Sequence, residues 1–214
     1  MIELFYKVLG AYLIGNLMGG QLVGRLRGGV DLRTVGSGNI GATNALRTQG
    51  KGFAIAVLLI DLFKGVGAVI FLPAIQWSWA GASDMPRELQ AYLCGVAVAV
   101  GHCYPVFSGF KGGKGVATLA GVFGALMPIA LAWMLGGFIL TILLTGYVSL
   151  ATLIAAAISV TYAAGLGLAS PEFLFAMAMA FLVVWKHREN IQRLARGSES
   201  RFEKARVLAR WLSR

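Results

Sequence analysis

The sequence predicts an all-α integral membrane protein, a bundle of seven transmembrane helices with its N-terminus periplasmic and its C-terminus cytoplasmic. Three observations carry this expectation. Of the 214 residues, 57% are apolar and only 13% are charged, against roughly 25% charged in a soluble domain. No charged residue lies between Val116 and Pro171. The remaining charges, net +10, concentrate in loops and in a C-terminal tail where residues 186–214 hold nine Lys/Arg against three Glu. Nucleic-acid binding is the usual alternative for a basic chain, and the apolar background excludes it in favour of membrane lipid and phosphate.

The elements follow in order. Residues 2–24, 53–75 and 89–107 are each near the ~20 residues needed to cross ~30 Å of hydrocarbon. The first run carries Glu3 and Lys7 and lacks a small-x-small cleavage site, so it reads as an uncleaved span rather than a signal peptide. The loop after it holds Arg25, Arg27, Arg33, Arg47 and Lys51 against Asp31, which makes it cytoplasmic by the positive-inside rule. Loop 76–88, with Arg87 against Asp84 and Glu88, reads as external. Lys111 and Lys114 put the next loop inside again, and the basic tail is inside too.

The chain between Lys114 and Lys186 must therefore cross an even number of times. Residues 173–185 make one crossing, so residues 116–170 make one or three. Three crossings need roughly 60 residues, and only 55 are available. Three is the expectation, with at least one short or oblique helix, and five spans in all is the alternative. Breaks are expected at Met127-Pro128, Gly136-Gly137 and Thr145-Gly146-Tyr147. The turn 145–149 then also faces the cytoplasm. The whole chain, 1–214, reads as a single polytopic membrane domain. Cys94 and Cys103 fall in or beside a span and imply no disulfide framework.

Three polar segments interrupt the apolar background. The first, Gly36-Ser37-Gly38-Asn39-Ile40-Gly41, formally matches G-x-G-x-x-G. The dinucleotide reading fails because no strand precedes it, but glycines still let backbone N–H groups approach an anion. Ser37, Asn39, Thr43 and Asn44 add neutral donors, and Arg47 adds a two-pronged charge suited to phosphate. A flexible re-entry loop is the bland alternative. The second, Phe110-Lys111-Gly112-Gly113-Lys114-Gly115, lacks P-loop spacing. It nevertheless joins two lysines and free N–H groups to a helix start near Val116, a plausible seat for phosphate. Topology signalling alone would need the lysines but not the glycines. His102, at the cytoplasmic end of the third span, is structural or substrate-binding.

In the third segment, residues 186–194, His187 and Asn190 are three apart and share a helix face. They orient or bind substrate, or serve as interfacial anchors. Asp61 and Lys64, three apart within the second span, are expected to be a structural ion pair in preference to a substrate contact. Gly15-x-x-x-Gly19 and Gly20-x-x-x-Gly24 read as close helix packing. No histidine is followed five positions later by aspartate, since Phe107 and Gln192 stand there, and Gly-x-Ser-x-Gly is missing. No Cys/His cluster has metal-ligand spacing, and no motif requires a cofactor.

Taken together, the segments resemble the three motifs of the bacterial acyl-phosphate-dependent glycerol-3-phosphate acyltransferase family. The residues are Ser37-Gly38-Asn39-x-Gly41-Ala42-Thr43-Asn44 with Arg47, Gly101-His102-x-x-Pro105-Val106-Phe107 with residues 110–118, and His187-x-x-Asn190-Ile191-x-Arg193-Leu194. Asp61-x-x-Lys64-Gly65 and Gly146-Tyr147-x-Ser149 also resemble family positions. The resemblance implies a seven-helix inner-membrane enzyme with a cytoplasmic active site. It would transfer an acyl group from acyl phosphate to the 1-position of glycerol 3-phosphate, giving lysophosphatidic acid and phosphate.

Carried over, Ser37, Lys114 and His187 become catalytic. Asn39, Thr43, Asn44, Arg47, His102, Lys111, Gly112, Gly113, Gly115, Ser149 and Asn190 bind substrate. The enzyme that makes acyl phosphate is an expected partner. Ile40 departs from the family, which usually has proline there, and is expected to loosen the loop. An acyl phosphate carries a good leaving group, so direct attack without an acyl-enzyme is expected. The rivals are a transporter of phosphate esters, with Asp61 and Lys64 on its pathway, and a non-catalytic scaffold.

Overall fold

The computed structural model describes residues 1–77, 83–206 and 208. Part of the external loop, 78–82, and positions 207 and 209–214 of the basic tail lie outside the described residues. Every regular element among the described residues is helical. The chain divides into two compact units, Met1–Leu126 and Met127–Arg214.

The first unit runs α1 (Ile2–Gly15), α2 (Gly19–Leu26), α3 (Ala42–Thr48), α4 (Lys51–Phe71), α5 (Arg87–Cys103) and α6 (Val116–Leu126). Single-turn 3₁₀ segments follow α4 and α5. Helix α1 packs on α5, and α4 packs on α6, α3, α5 and α2. Both main contacts rest on reciprocal glycines. A Cβ on Gly15 would strike the Val98 carbonyl and one on Gly101 the Tyr12 carbonyl; one on Gly65 would strike the Thr118 carbonyl and one on Gly121 the Leu62 carbonyl. Such close backbone approach is how apolar helices associate where lipid removes the hydrophobic incentive to pair.

The expected first span is two helices. Its chain leaves helical geometry at Asn16–Met18, which contains neither Gly nor Pro. The cause lies in α4. Lys64 Nζ donates to the carbonyls of Gly15 (3.1 Å) and Leu17 (2.9 Å) at the end of α1. Asp61 Oδ1 accepts from the Gly19 N–H (3.1 Å) that opens α2. A cation thus meets orphan carbonyls and an anion an orphan amide, as the helix termini require. The Gly15–Gly19 pair therefore packs from two helices, Gly15 against α5 and Gly19 against Val57 of α4.

The second unit runs α7 (Pro128–Thr145), α8 (Val148–Ala164), α9 (Pro171–Lys186) and α10 (Arg188–Ala195). Helix α8 packs on both α7 and α9. Two expected breaks are present. Pro128 opens α7 at a position where its missing N–H costs nothing. Gly146, at φ 75°, closes α7 in the left-handed conformation. Gly136-Gly137 is not a break but lies inside α7, where a Cβ on Gly137 would strike Ile158 of α8. Gly137 is a packing position, while a Cβ on Gly136 would meet nothing within 4 Å. Ser170 caps α9 by accepting from the Phe173 N–H (3.1 Å), with Pro171 in the first turn.

Among the described residues, three helical stretches are long and apolar enough to cross a membrane: Lys51–Ala74, Arg87–Ser108 and Pro128–Thr145. Val116–Leu126 and Val148–Ala164 are shorter apolar helices. At 11 residues α6 is about 17 Å long, which makes it the short element expected between residues 116 and 170. Large apolar side chains such as Trp133, Ile139, Leu174 and Phe181 are exposed. On a membrane protein that is the surface presented to lipid.

Candidate active site

In the first unit, loop 27–41 is shaped from within. Asn44, at the start of α3, accepts from the Ser37 N–H (2.9 Å) and donates to the carbonyls of Leu32 and Val35, both at 3.0 Å. Gly36 (φ 59°) and Gly38 (φ 71°) take left-handed turns, and a Cβ on Gly36 would strike Asn44 Oδ1. The expected substrate contact at Asn44 is thus a buried brace for the loop. Ser37 and Arg47 are exposed, while Asn39 and Thr43 are half-buried. Ile40 is buried in an apolar cluster with Met18, Val23, Leu32 and Val57. It anchors the loop base by packing.

Asp31, in the same loop, holds Arg33 in a two-pronged contact at 2.8–3.1 Å. The hydrogen bonds from the Arg33 side chain hold its carboxyl below the usual carboxylate value.

The basic glycine loop folds back onto the end of α5. Gly113 N–H donates to the His102 carbonyl (3.2 Å). A Cβ on Gly112 would strike that same carbonyl, and one on Gly113 would strike His102 Nε2. Gly115, at φ 77°, then turns the chain into α6. Phe110 has φ 61°, an unusual conformation for an aromatic residue and of the kind that clusters at ligand-binding loops. Lys111 is exposed and Lys114 half-buried, both on the loop that leads into α6. The glycines here are required by contact, not merely by flexibility.

Asp61, Lys64 and His102 form one buried cluster. Lys64 Nζ lies 2.8 Å from Asp61 Oδ1 and 2.7 Å from His102 Nδ1, and all three side chains are at most 4% exposed. The expected structural ion pair is present, with a histidine added to it.

In the second unit His187 sits at the junction of α9 and α10 and is buried. Its Nδ1 lies 2.8 Å from the Val183 carbonyl. A carbonyl only accepts, so Nδ1 carries a proton, and in the neutral form of the ring the lone pair is then on Nε2.

Asn190 Nδ2 (2.7 Å) and Ser149 Oγ (2.9 Å) donate to Glu199 Oε1, and Arg193 Nε (2.7 Å) donates to Oε2. The turn at Ser149 and the helix of Asn190 are thereby joined through one carboxylate. Burial pushes the Glu199 carboxyl up, but the bonds from Asn190, Arg193 and Ser149 outweigh it and hold it below its ordinary value. Glu199 was not among the expected site residues. It is one of three Glu in a basic tail, which does not single it out. Just beyond it, Phe202 N–H donates to the Gly146 carbonyl (2.9 Å), and the Arg201 guanidinium lies 4.5 Å from the Tyr147 ring centre. Residues 199–202 thus strap the α7–α8 turn.

These residues match known proteins closely. The glycerol-3-phosphate acyltransferase family matches residues 5–197. A glycerol-3-phosphate acyltransferase of Geobacter metallireducens is 45% identical over 194 residues, covering 91% of this chain and 95% of its own. One from a Jannaschia species is 44% identical over 199 residues, covering 91% and 90%. Among solved structures, the integral membrane glycerol 3-phosphate acyltransferase PlsY (YgiH) in its glycerol 3-phosphate form aligns with TM-score 0.83 and 36% identity, over 96% of this chain and 98% of that one. PlsY in its lysophosphatidic acid form aligns with TM-score 0.82 and 35% identity. The chain is an integral membrane protein of the glycerol-3-phosphate acyltransferase family.

Proposed function

We propose that this protein transfers a fatty acyl group from acyl phosphate to the 1-position of glycerol 3-phosphate, releasing lysophosphatidic acid and phosphate. The observation that carries the reading is the loop 110–115, in which Gly112 and Gly113 are pressed onto His102 and two lysines lie on the approach to α6. Such a loop offers backbone N–H groups, two ammonium groups and a helix N-terminus to a phosphate. The whole chain acts as one polytopic domain of seven spans in the bacterial inner membrane. Its N-terminus is outside and its active site on the cytoplasmic face, by the loop charges given above.

Two phosphates must be held. Loop 110–115, with Lys111, Lys114, Gly112, Gly113 and Gly115, takes the acyl phosphate. Ser37, Asn39, Thr43 and Arg47 take glycerol 3-phosphate, with Asn44 shaping their loop. In the second unit Ser149 and Asn190, aligned by Glu199, are substrate-binding residues. The glycerol hydroxyl oxygen bonds to the acyl carbon while the bond from that carbon to phosphate oxygen breaks. Phosphate leaves with the electron pair, and Lys114 stabilises the charge it gains. The Nε2 lone pair of His187 suits it to take the hydroxyl proton; a phosphate oxygen is the alternative acceptor.

Purified protein given acyl phosphate and glycerol 3-phosphate is expected to form lysophosphatidic acid and phosphate in equal amounts. Product from an acyl thioester but none from acyl phosphate overturns the donor. His187→Gln with near-normal turnover at saturating substrate removes His187 as the base. The transport reading needs Asp61 and Lys64 on a pathway, whereas both are engaged with each other and with backbone. Solute uptake into liposomes without product would restore it.

A further inference from the structure

The Asp61–Lys64 pair does more than close a helix break. An ammonium has three protons and no lone pair. Four acceptors surround it, the Gly15 carbonyl (3.1 Å), the Leu17 carbonyl (2.9 Å), Asp61 Oδ1 (2.8 Å) and His102 Nδ1 (2.7 Å), so one proton is shared between two of them. The ring nitrogen, the nearest of the four, meets no lone pair on the ammonium and must offer its own. Two carbonyls and the Asp61 carboxylate accept from the same Nζ, an environment that favours the ammonium over the free amine, so the proton between Nζ and Nδ1 rests on Lys64. His102 is consequently neutral, with its proton on Nε2. Asp61 Oδ1, 3.5 Å from the same Nδ1, would favour the opposite arrangement, but the shorter contact decides against it. Nε2 faces Gly113, the point in the chain where a Cβ could not be accommodated against it.

We propose that Asp61 and Lys64 are positioning residues for the acyl-phosphate loop: the ammonium fixes His102 as the Nε2–H tautomer, and that N–H is presented at Gly113. The proposal rests on the loop being the acyl-phosphate seat. Its elements all belong to the first unit, and they span α1, α4, α5 and the loop. The anchor begins with the carbonyls of Gly15 and Leu17, which together with Asp61 fix where the ammonium sits. It ends at the His102 carbonyl, which accepts from Gly113 N–H. One histidine thus grips the loop by its backbone and orients it by its ring.

The chain has two histidines, so a full-length His187→Gln protein labelled with ¹⁵N-histidine reports on His102 alone. The expected spectrum is a neutral ring protonated at Nε2. A proton on Nδ1, or on both nitrogens, overturns the proposal without any substrate being present.

The kinetic arm uses Asp61→Asn combined with Lys64→Met, which leaves no unpaired buried charge. In a monodisperse, fully helical preparation, KM for acyl phosphate should rise roughly tenfold to a hundredfold, with KM for glycerol 3-phosphate within about twofold. Wild-type KM for acyl phosphate in that variant overturns the proposal, as does a fall in kcat with both KM values unchanged. His102→Gln, whose amide can place an N–H near Nε2, should recover more of the acyl-phosphate affinity than His102→Asn; the reverse order counts against it. If the wild-type protein does not use acyl phosphate, the functional reading fails on that result, and the tautomer spectrum still decides the geometry.

Discussion

The two histidines of this chain occupy opposite electrostatic settings, one in each unit, and the difference shows how a partner at Nδ1 sets what a ring can do. His102 faces an ammonium and so accepts at Nδ1, which leaves Nε2 as a donor. His187 faces the Val183 carbonyl and so donates at Nδ1, which leaves Nε2 as an acceptor. The first suits the holding of a loop and the second the taking of a proton. The acids divide in the same way. Asp61 is buried with Lys64 inside an apolar unit and joins helices at a break. Glu199 gathers a serine, an asparagine and an arginine from the α8 start and α10.

The comparison can be broken at several points. The largest effect is expected from Gly113→Val. Its new atoms meet His102 Nε2, so the loop must shift, and kcat/KM should fall by roughly a hundredfold or more while helical content is kept. Normal kinetics in that variant would mean the loop is not seated on the ring. Glu199→Gln comes next. It keeps the shape but removes the charge that three donors share, and should cost about 1–3 kcal/mol, read as a lower thermal midpoint in detergent.

The pH dependence sharpens the second case. The folded value of Glu199 lies below its ordinary 4.5, so the stability it adds is present above about pH 4.5. It is lost as pH falls through the lowered value. Wild type should lose its stability advantage over Glu199→Gln in that acid window, and an advantage unchanged by acid would exclude the carboxylate as its source. The smallest effect belongs to Asp31→Asn. That ion pair is open to solvent, 44% and 37% exposed at its two side chains, and should be worth no more than about 0.5 kcal/mol, with activity unchanged.

Much of this architecture was legible in the chain. Pro128 and Gly146 announce their breaks because proline lacks a donor and glycine alone enters the left-handed region at no cost. The loops were legible as polar, glycine-rich interruptions of apolar runs. Gly136-Gly137 misled because glycine serves equally for turning and for close packing, and at Gly137 only the presence of Ile158 decides between them. The break at Asn16–Met18 lies between Gly15 and Gly19-Gly20, which read equally as packing residues, and the groups that satisfy it come from α4. Ile40 was expected to loosen its loop, yet it fills the apolar cluster beneath it. Glu199 was hidden because its partners come from residues as far away as Ser149.

The sequence by itself determined the membrane class, the positions of the polar loops and the residue types able to hold phosphate. Those follow from hydropathy, charge sign and backbone freedom, all of which are local. Only the tertiary structure decided where the first span breaks, which nitrogen of each histidine carries its proton, and that one carboxylate unites Ser149, Asn190 and Arg193. Each of these depends on a partner brought close by packing, and hydrogen-bond direction is settled at distances below about 3 Å.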